Sequence, residues 1–186
     1  MSQLITREQY LELAIEALRG SIFKGYVIPK VRVSVGFPGG GSARKRIGEH
    51  WSPSASSDDI GQIFISPIVR DINQVLDVLV HELVHAVVGN KAGHGPLFRK
   101  CALAVGLEGK MQSTTASPAL KLRLNALVET LGVYPHGKLN LSGRKKQSTR
   151  MVKMECPSCG YIARTSQKNI DEHGPVICPC NGEAMS

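Results

Sequence analysis

The sequence contains no run of about twenty apolar residues free of charge, the length that a helix needs to cross a bilayer. Its most apolar segment, Ile72 to Val88, is interrupted by two acidic residues and two histidines. The stretch from Met1 to Thr6 has no basic region followed by an apolar run, which a secretory signal would have. We therefore expect neither a transmembrane span nor a secretory signal. The expected location is the cytoplasm, at the nucleoid if the source is prokaryotic or a phage.

Acidic residues are scarce relative to basic ones. The 186 residues include 23 Lys and Arg against 15 Asp and Glu, which gives a formal charge of +8 and a pI near 9.4. This balance favours a polyanionic partner, nucleic acid first. The five cysteines, without a secretory signal, indicate a reducing compartment and metal binding rather than disulfides. The length allows one moderate core with a small appendage.

Two histidines and a glutamate lie within the apolar segment, as His81-Glu82-Leu83-Val84-His85. Residues four apart share one face of a helix, so His81 and His85 can direct two imidazoles at one metal ion. Glu82 lies beside them, where its carboxylate could hold water without being a ligand. This is the arrangement of zinc metallopeptidases. The competing interpretation is a chance match, but three polar groups inside an apolar helix are costly without partners, and a metal ion would supply them.

A catalytic zinc usually takes three protein ligands and leaves its fourth position to water. His94 is the nearest candidate for the third ligand, and it lies between Gly93 and Gly95. Glycine permits the sharp turn that would bring His94 back to the helix. The sequence therefore predicts a zinc held by His81, His85 and His94.

The remaining pattern predicts a mixture of helices and short strands. The helix with the histidines would run from Asp71 to about Val88, capped by Asp71 with Gln74 and ended by Gly89. It is apolar on nearly all sides, which indicates a central position. Further helices are predicted over 6–19, from Pro96 to Gly106 and from Ser117 to Gly132, and strands over 31–35, 47–51 and 60–65.

Basic residues without acidic neighbours set Gly137 to Met154 apart from the rest of the chain. We interpret 136–154 as a basic linker that contacts nucleic-acid phosphates, with a plain solvated tether as the alternative. The residues predicted to make these contacts are Arg144, Lys145, Lys146, Arg150 and Lys153. A second basic group, Arg44-Lys45-Arg46, could contact nucleic acid or lie in a solvated loop. The glycines before it lack the spacing and the Lys-Ser/Thr ending of a phosphate loop.

Four of the five cysteines lie in two close pairs, Cys156-Pro-Ser-Cys159-Gly and Cys178-Pro-Cys180. The first pair has the spacing of a zinc knuckle, followed by a glycine that allows the turn around the metal. The second pair is closer than the usual Cys-x-x-Cys, so His173 is an alternative for one of its ligands. We predict a structural zinc with four ligands, because about thirty residues cannot bury enough core to fold without metal.

The fifth cysteine, Cys101, is expected to be a small core residue, because free cysteine is often buried. It lies at helical spacing with the apolar residues that follow Pro96. It is therefore not counted among the predicted metal ligands.

Together these motifs resemble the SprT-like family, which includes the Spartan DNA–protein crosslink proteases. Ile63 to Ser66 resembles the strand before the family's active-site helix, and His81 to His85 matches its zinc motif. Gly93 to Phe98 resembles its Gly-His-Gly segment, with the third ligand and a following aromatic residue. The paired cysteines resemble the zinc ribbon of many SprT-like proteins. Two features depart from the family: the gap between the second and third histidines is short, and Cys-Pro-Cys replaces the usual ribbon pair.

The resemblance implies an α+β fold with a zincin-like core, made of a small sheet and helices around the active-site helix 71–88, and followed by a small zinc ribbon. It also implies zinc-dependent peptide hydrolysis, and the family's best-known members act on proteins bound or crosslinked to DNA. We accordingly divide the chain into a core domain over 1–135, the basic linker over 136–154 and the ribbon over 155–186.

The resulting hypothesis is a nucleic-acid-associated zinc metalloprotease with one catalytic and one structural Zn²⁺. Glu82 would act as general base on a zinc-bound water and then pass the proton to the leaving amine. Tyr134 and His136 are considered as oxyanion donors, although no motif supports either. DNA would be bound through its phosphates, without sequence readout. The substrates would be proteins bound to that DNA.

Two other functions stay open at this stage. One is a non-catalytic DNA-binding or transcription-associated protein in which both zincs are structural. Such a site has no use for the unliganded carboxylate of Glu82 beside an open metal position. The other is a metallohydrolase that acts on a non-peptide amide, since His-Glu-x-x-His alone does not distinguish the two amide substrates.

Overall fold

A computed structural model of the protein describes residues 5–39, 46–143 and 150–186. The chain forms two compact units, Met1–Leu141 and Ser142–Ser186, each of mixed helix and strand. The predicted α+β class is therefore confirmed. Within the described ranges, no helix combines the length and the apolar character that a membrane span requires.

The first unit is built from helices and two small sheets. Its helices are α1 (Arg7–Gly20), α2 (Ile72–Val88), α3 (Pro96–Val105) and α4 (Pro118–Leu131). Its strands are β1 (Val31–Val35), β2 (Gly48–Trp51), β3 (Gly61–Ile65), β4 (Leu107–Lys110) and β5 (Ser113–Ala116), with short 3₁₀ turns at Pro53–Ala55 and Asn90–Ala92. The four helices and the first three strands correspond to the elements that the sequence predicts.

The larger sheet has the strand order β1-β3-β2. The middle strand, β3, pairs in parallel with β1 and antiparallel with β2, with Ile63 opposite both Val33 and His50. Alternate residues of β3 are buried, as expected for a strand with one face on the core. Since β2 pairs only with β3 among the described residues, it is an edge strand.

The helix caps follow the predicted pattern with one difference. Thr6 and Gln9 form a capping box at α1: the Thr6 hydroxyl accepts from the Gln9 backbone N–H, and the Gln9 side chain accepts from the Thr6 N–H. Asp71 caps α2 as predicted, but its carboxylate accepts from the backbone N–H of Asn73, at 3.0 Å. Gln74, predicted to complete that cap, lines the cavity described below.

α2 is the central helix of the first unit. It packs against β2, β3, β5, α3 and α4. Its buried side chains are Val75, Leu76, Val78, Leu79, Val80, Glu82, Leu83, Val84 and Ala86. Burying each large apolar side chain stabilises the fold by roughly 1.5–3 kcal/mol, so the residues carried by α2 are held on a rigid support.

The β4–β5 hairpin was not predicted. Its strands have four residues each, and most of their side chains are exposed, with Leu107 and Ala116 the buried ones. So short and polar a segment carries no clear alternating pattern. The hairpin packs on α2 through β5. This attachment brings the hairpin beside the histidines of α2.

The second unit contains β6 (Met151–Glu155), β7 (Ile162–Ser166) and α5 (Gln167–His173). The two strands form an antiparallel hairpin. The buried residues of this unit form one small cluster, made of Met154, Cys156, Cys178 and Met185. Since two of its four members are cysteines, the apolar core alone is small for an independent fold.

Described residues of both units lie within the predicted linker, 136–154. His136 Nε2 and the backbone N–H of Leu139 each donate to the carbonyl of Pro67 at 3.0 Å, so this part of the chain belongs to the first unit. At the other end, β6 begins at Met151. The bonds of residues 136–139 to Pro67 join groups far apart in sequence, which composition does not reveal.

Candidate metal centre

Three histidine rings converge on one point in the first unit. His81 and His85 extend from α2, and His94 lies in the loop before α3. The Nε2 atom of His94 is 3.3 Å from that of His81 and 3.2 Å from that of His85. A tetrahedral zinc with Zn–N distances of about 2.0–2.1 Å separates its nitrogen ligands by about 3.3–3.4 Å. The three predicted residues could therefore hold a metal ion.

A glycine-bounded turn returns His94 to the helix. α2 ends at Gly89, with φ +81°, and the 3₁₀ turn Asn90–Ala92 is followed by Gly93, with φ +49°. Both φ values lie in the region that side chains with a Cβ rarely adopt. The sharp turn predicted before His94 is therefore present and depends on glycine at both of its ends.

The ring of Phe98 lies against all three histidines. Its centroid is 4.9 Å from that of His81, 4.5 Å from His85 and 4.9 Å from His94. Phe98 is fully buried on α3. An apolar floor of this kind limits the orientations of the imidazoles and keeps water away from one side of the group.

His81 has an outer partner that the sequence did not indicate. Its Nδ1 atom lies 2.8 Å from the hydroxyl of Thr114 on β5. With a metal ion on Nε2, Nδ1 would carry the proton and donate a hydrogen bond to the Thr114 hydroxyl. Such a bond fixes the tautomer and the ring orientation of a metal ligand. Thr114 is 33 residues from His81, in the hairpin that was not predicted, so no local pattern pointed to it.

The three imidazoles are poised to be neutral. Burial lowers the pKa of His81 to about 4 and that of His85 to about 3, and it also lowers the pKa of His94. Neutral imidazole is the form that binds metal. At pH 7 a metal ion would therefore displace almost no protons from this group.

Glu82 is buried beside the histidines, with 5% of its surface exposed. Burial is the main cause that raises the pKa of Glu82 to about 8; the neighbouring Glu49 raises it further, and Arg46 opposes them. A divalent cation at the histidines would favour the charged carboxylate and lower this pKa. The residue is therefore suited to exchange protons near neutral pH.

Gly48 on β2 gives the Glu82 carboxylate its space. A Cβ atom at position 48 would lie 2.5 Å from Glu82 Oε1 and would also collide with Val78 Cγ1. Real Cβ atoms do not approach so closely, so any other residue would force α2 or the carboxylate to move. The sequence did not indicate this role of Gly48, because Gly48 reaches Glu82 only after β2 has paired with β3.

We expect Gly48→Ala to displace Glu82. Overpacking of this kind costs about 1–3 kcal/mol, which thermal unfolding would measure. If the site is catalytic, its activity should fall further than the lost stability explains. Gly36→Ala is the matched control, because a Cβ there would meet only Phe64 Cδ1, at an ordinary 3.6 Å. Equal behaviour of the two variants would show that position 48 does not set the carboxylate.

The histidines and Glu82 line a cavity of about 850 Å³. On one side it is bounded by β2 and on the other by the β4–β5 hairpin. The other polar side chains that line it are Arg46, Glu49, His50, Gln74, Asp77, Asn90, Gln112, Ser113, Thr114 and Thr115. The cavity therefore combines one cluster of metal-binding groups with a largely uncharged rim along the hairpin.

Tyr134 and His136, considered above as oxyanion donors, lie elsewhere. They line a different cavity of about 570 Å³, together with Arg70 and residues of α4. Tyr134 packs edge-on against Tyr10, with ring centroids 5.2 Å apart. Neither side chain lines the cavity of the histidines, so this suggestion was wrong.

Replacing Thr114 with Val should weaken metal binding at the histidines. The loss of an outer partner of a ligand typically costs about 10–100-fold in metal affinity, which competition with a chelator would measure. Thr115→Val serves as the control, since Thr115 also lies on β5 and lines the same cavity. If both valine variants bound metal as the parent protein does, the bond to His81 would have no such role.

The four cysteines predicted as ligands form a second group in the second unit. The Sγ–Sγ distances are 3.8 Å for Cys156–Cys180, 3.6 Å for Cys159–Cys178 and 3.3 Å for Cys178–Cys180. Four sulfurs bound to one tetrahedral zinc are about 3.8 Å apart. The group could therefore hold a metal ion. His173 is exposed at the end of α5 and is not part of it, so the four cysteines are the ligand set that the geometry supports.

The two cysteine pairs are carried by matching turns. Gly160 and Gly182 both have positive φ, +73° and +70°, and each donates its N–H to the carbonyl of the cysteine four residues earlier, at 2.9 Å. In the second turn the second sulfur comes one residue sooner, at Cys180, and Asn181 occupies the position of a cysteine. The unusual Cys-Pro-Cys spacing therefore still directs both sulfurs to one point.

Backbone groups also prepare the first turn for metal. Hydrogen bonding from the backbone of Cys159 is the main cause that lowers the pKa of Cys156 to about 7. This favours the thiolate, the form of cysteine that binds metal. The fifth cysteine, Cys101, is buried in the core of the first unit, as predicted.

Only part of the predicted nucleic-acid surface can be located. Arg144 to Lys146 lie outside the described residues, as do residues 44 and 45. Arg150 is exposed, and Lys153 lies on β6 with its ammonium 2.5 Å from Glu155. The predicted phosphate contacts at Arg150 and Lys153 stay predictions.

Arg46, the last residue of the second basic group, has partners within the first unit. Its guanidinium pairs with Glu49 and donates to the carbonyl of Gly39. Glu49 in turn accepts from the backbone N–H of Gly39 at 2.6 Å and from Trp51 Nε1 at 3.0 Å. This network fixes Arg46 beside the cavity, which favours a structural role over contact with nucleic acid.

Comparisons with protein-family models, with curated proteins and with solved structures find no match. The function is therefore argued from the two metal-binding groups and the cavity around one of them.

Proposed function

We propose that this protein is a zinc metallopeptidase with a zincin-like core, a catalytic zinc at His81, His85 and His94, and a structural zinc at the four cysteines. One observation carries the proposal: three imidazoles spaced for a single tetrahedral ion lie beside a buried carboxylate that is not one of the converging ligands. A site that only holds structure has no need of that carboxylate.

The number of ligands distinguishes the two groups. Four thiolates fill the coordination of a zinc ion and leave no position for a substrate, which is typical of a structural site. Three imidazoles leave one position open, which is typical of a catalytic site. The histidine group also lines a cavity of about 850 Å³, so a substrate could reach it.

The chemistry follows from the positions of the side chains. A zinc ion at the histidines would lower the pKa of water towards about 7 and polarise the scissile carbonyl. Glu82 would accept a proton from the attacking water and deliver it to the leaving amine. Gly48 and the apolar residues of α2 would hold the carboxylate in place, and Thr114 would hold the imidazole of His81.

The walls of the cavity favour a peptide over a small amide. β2 and β5 each pair with one strand only among the described residues, and on the free side of β2 the His50 carbonyl accepts from Asn90 Nδ2. An unpaired strand edge can bind an extended peptide through its backbone N–H and C=O groups. A small amide would use neither edge, so the shape of the site supports a peptide substrate.

The choice of DNA-associated proteins as substrates depends on charge and on the resemblance to the SprT-like family. The formal charge of +8 would support binding to phosphates. Binding of this kind weakens steeply with salt, because it releases counterions from the DNA. DNA would then concentrate the enzyme on the proteins that are bound to the same strand.

The proposal is tested by incubating the purified, zinc-loaded chain with a DNA-binding protein, in the presence and in the absence of DNA, and measuring cleavage. Albumin, which does not bind DNA, is the control substrate. We expect cleavage that requires zinc, stops on chelation, returns when zinc is restored and is stimulated by DNA. A chain that binds zinc and DNA but cleaves neither protein would instead be a DNA-binding zinc protein without peptidase activity.

A further inference from the structure

The turn that leads to His94 is shaped by short-range backbone hydrogen bonds and by glycine. This ligand turn, residues 89–93, begins and ends with glycines of positive φ. Its internal hydrogen bonds join Ala92 N–H to the Gly89 carbonyl and Gly93 N–H to the Asn90 carbonyl, both at 3.0 Å. Local bonds of this kind shape the turn but do not determine where it lies relative to the sheet.

Asn90 connects the ligand turn to β2 through two hydrogen bonds. Its Nδ2 donates to the backbone carbonyl of His50 at 3.0 Å, and its Oδ1 lies 2.6 Å from His50 Nδ1. Since Oδ1 is an acceptor, Nδ1 of His50 must carry the proton. Over the described ranges, Asn90 is the one residue of the ligand turn with a side-chain hydrogen bond to another element.

The position of His50 indicates that this connection has a purpose beyond packing. His50 is 9% exposed and its ring lies over Gly61, where a Cβ would be 3.1 Å from Nε2. That Nε2 atom is buried without a hydrogen-bond partner. An unsatisfied buried nitrogen is unfavourable, and an aliphatic side chain would fill the space without that cost. The bond from Nδ1 to Asn90 is the feature that an aliphatic side chain could not provide.

We propose that His50 and Asn90 are positioning residues, which form a clamp between β2 and the ligand turn and so set the place of His94. The proposal rests on the proposed function to the extent that His94 is a metal ligand. β2 also carries Gly48, which gives Glu82 its space. One edge strand therefore fixes the carboxylate and the third ligand relative to each other.

If the clamp sets the place of His94, the Asn90→Ala variant should lose zinc affinity at the histidines. Without Asn90, the ligand turn can move, and His94 leaves the place where it completes the three-nitrogen set. We expect zinc affinity at the histidines to fall about tenfold, the lower end of what the loss of an outer partner costs. The affinity of the cysteine site should be unchanged, which chelator competition on the full chain would show because the two sites release zinc separately.

Cobalt gives a second readout that a general loss of stability would not change. Cobalt at the cysteines gives charge-transfer bands from sulfur and strong visible bands, whereas cobalt at the histidines gives weaker visible bands that depend on coordination geometry. A spectrum taken with zinc at the cysteines and cobalt at the histidines isolates the weak bands. In Asn90→Ala we expect the weak bands to change in intensity and the sulfur bands to stay. Unchanged weak bands together with unchanged affinity would overturn the proposal.

Two further variants separate positioning from stability. Ile63→Val is the matched control, because Ile63 is fully buried on β3 opposite His50 and makes no bond to the ligand turn. It should lower the melting temperature and leave zinc affinity intact. In a double-mutant cycle, Asn90→Ala should weaken zinc binding less in a His50→Ala background than alone. Additive effects, or a similar loss in Ile63→Val, would count against the clamp.

The outcomes also separate this proposal from the proposed function. If the parent chain binds no metal at the histidines, both fail. If it binds metal and Asn90→Ala has no effect, the clamp alone fails. If Asn90→Ala weakens binding but no peptide is cleaved by the parent chain, the clamp stands and the peptidase does not.

Discussion

Glu82→Gln is expected to abolish peptidase activity while zinc stays bound. The amide is isosteric with the carboxylate but cannot accept a proton from water, and general acid–base catalysis contributes typically about 10²–10⁴-fold to rate. Stability should not fall, because the side chain is buried and a neutral amide avoids the cost of burying a charge. Turnover, zinc content and melting temperature would be measured on the same preparation.

Glu108→Gln is the control for this experiment, since Glu108 is an exposed carboxylate on β4 that does not line the cavity. It should retain full activity. Two results would contradict the assigned role of Glu82. One is a Glu82→Gln protein that still cleaves at a rate within tenfold of the parent. The other is one that loses zinc from the histidines, which would make the carboxylate a ligand and not a base.

Cys178→Ser should unfold the second unit. Cys178 is fully buried in that unit and supplies one of four sulfurs. Structural zinc contributes roughly 10–16 kcal/mol of apparent binding energy in small domains that fold only with metal. The small cluster around Met154 cannot replace such a contribution. We expect one zinc per chain instead of two, and rapid proteolysis within 142–186 while the first unit stays resistant.

Cys101→Ser is the control that tests whether any cysteine substitution would cause the loss of one zinc ion and the unfolding of the second unit. Cys101 is buried in the first unit and lies outside the metal group, so this variant should keep both zinc ions and a resistant second unit. Retention of two zinc ions by Cys178→Ser would mean that three sulfurs and another residue suffice. His173 would then return as a candidate ligand.

The parts of the site that lie close together in sequence could be predicted from it. His81 and His85 share one face of a helix because of a fixed helical period, and glycines mark the turn that leads to His94. The paired cysteines follow the same logic, since a knuckle is a local turn. The three histidines lie within 14 residues and each cysteine pair within four, so local chain geometry accounts for the histidine group and for each pair separately.

The parts that depend on tertiary pairing could not be predicted. Thr114 reaches His81 only because a short polar hairpin packs on α2, and Gly48 meets Glu82 only because β2 lies beside that helix. The link between His50 and Asn90 spans 40 residues. Contacts of this kind depend on strand register and on the packing of separate elements, for which the hydrophobic pattern of these short segments gives no signal.

The cavity beside Glu82 is bounded by two strands, each with one side unpaired among the described residues. A substrate chain that pairs with these edges would be extended, with its own N–H and C=O groups unpaired. Folded proteins keep nearly all such groups occupied internally. The entrance would therefore sort polypeptides by conformational state and not by residue type. If the proposed peptidase activity holds, the lifetime of a nearby protein would depend on how often a segment of it unwinds.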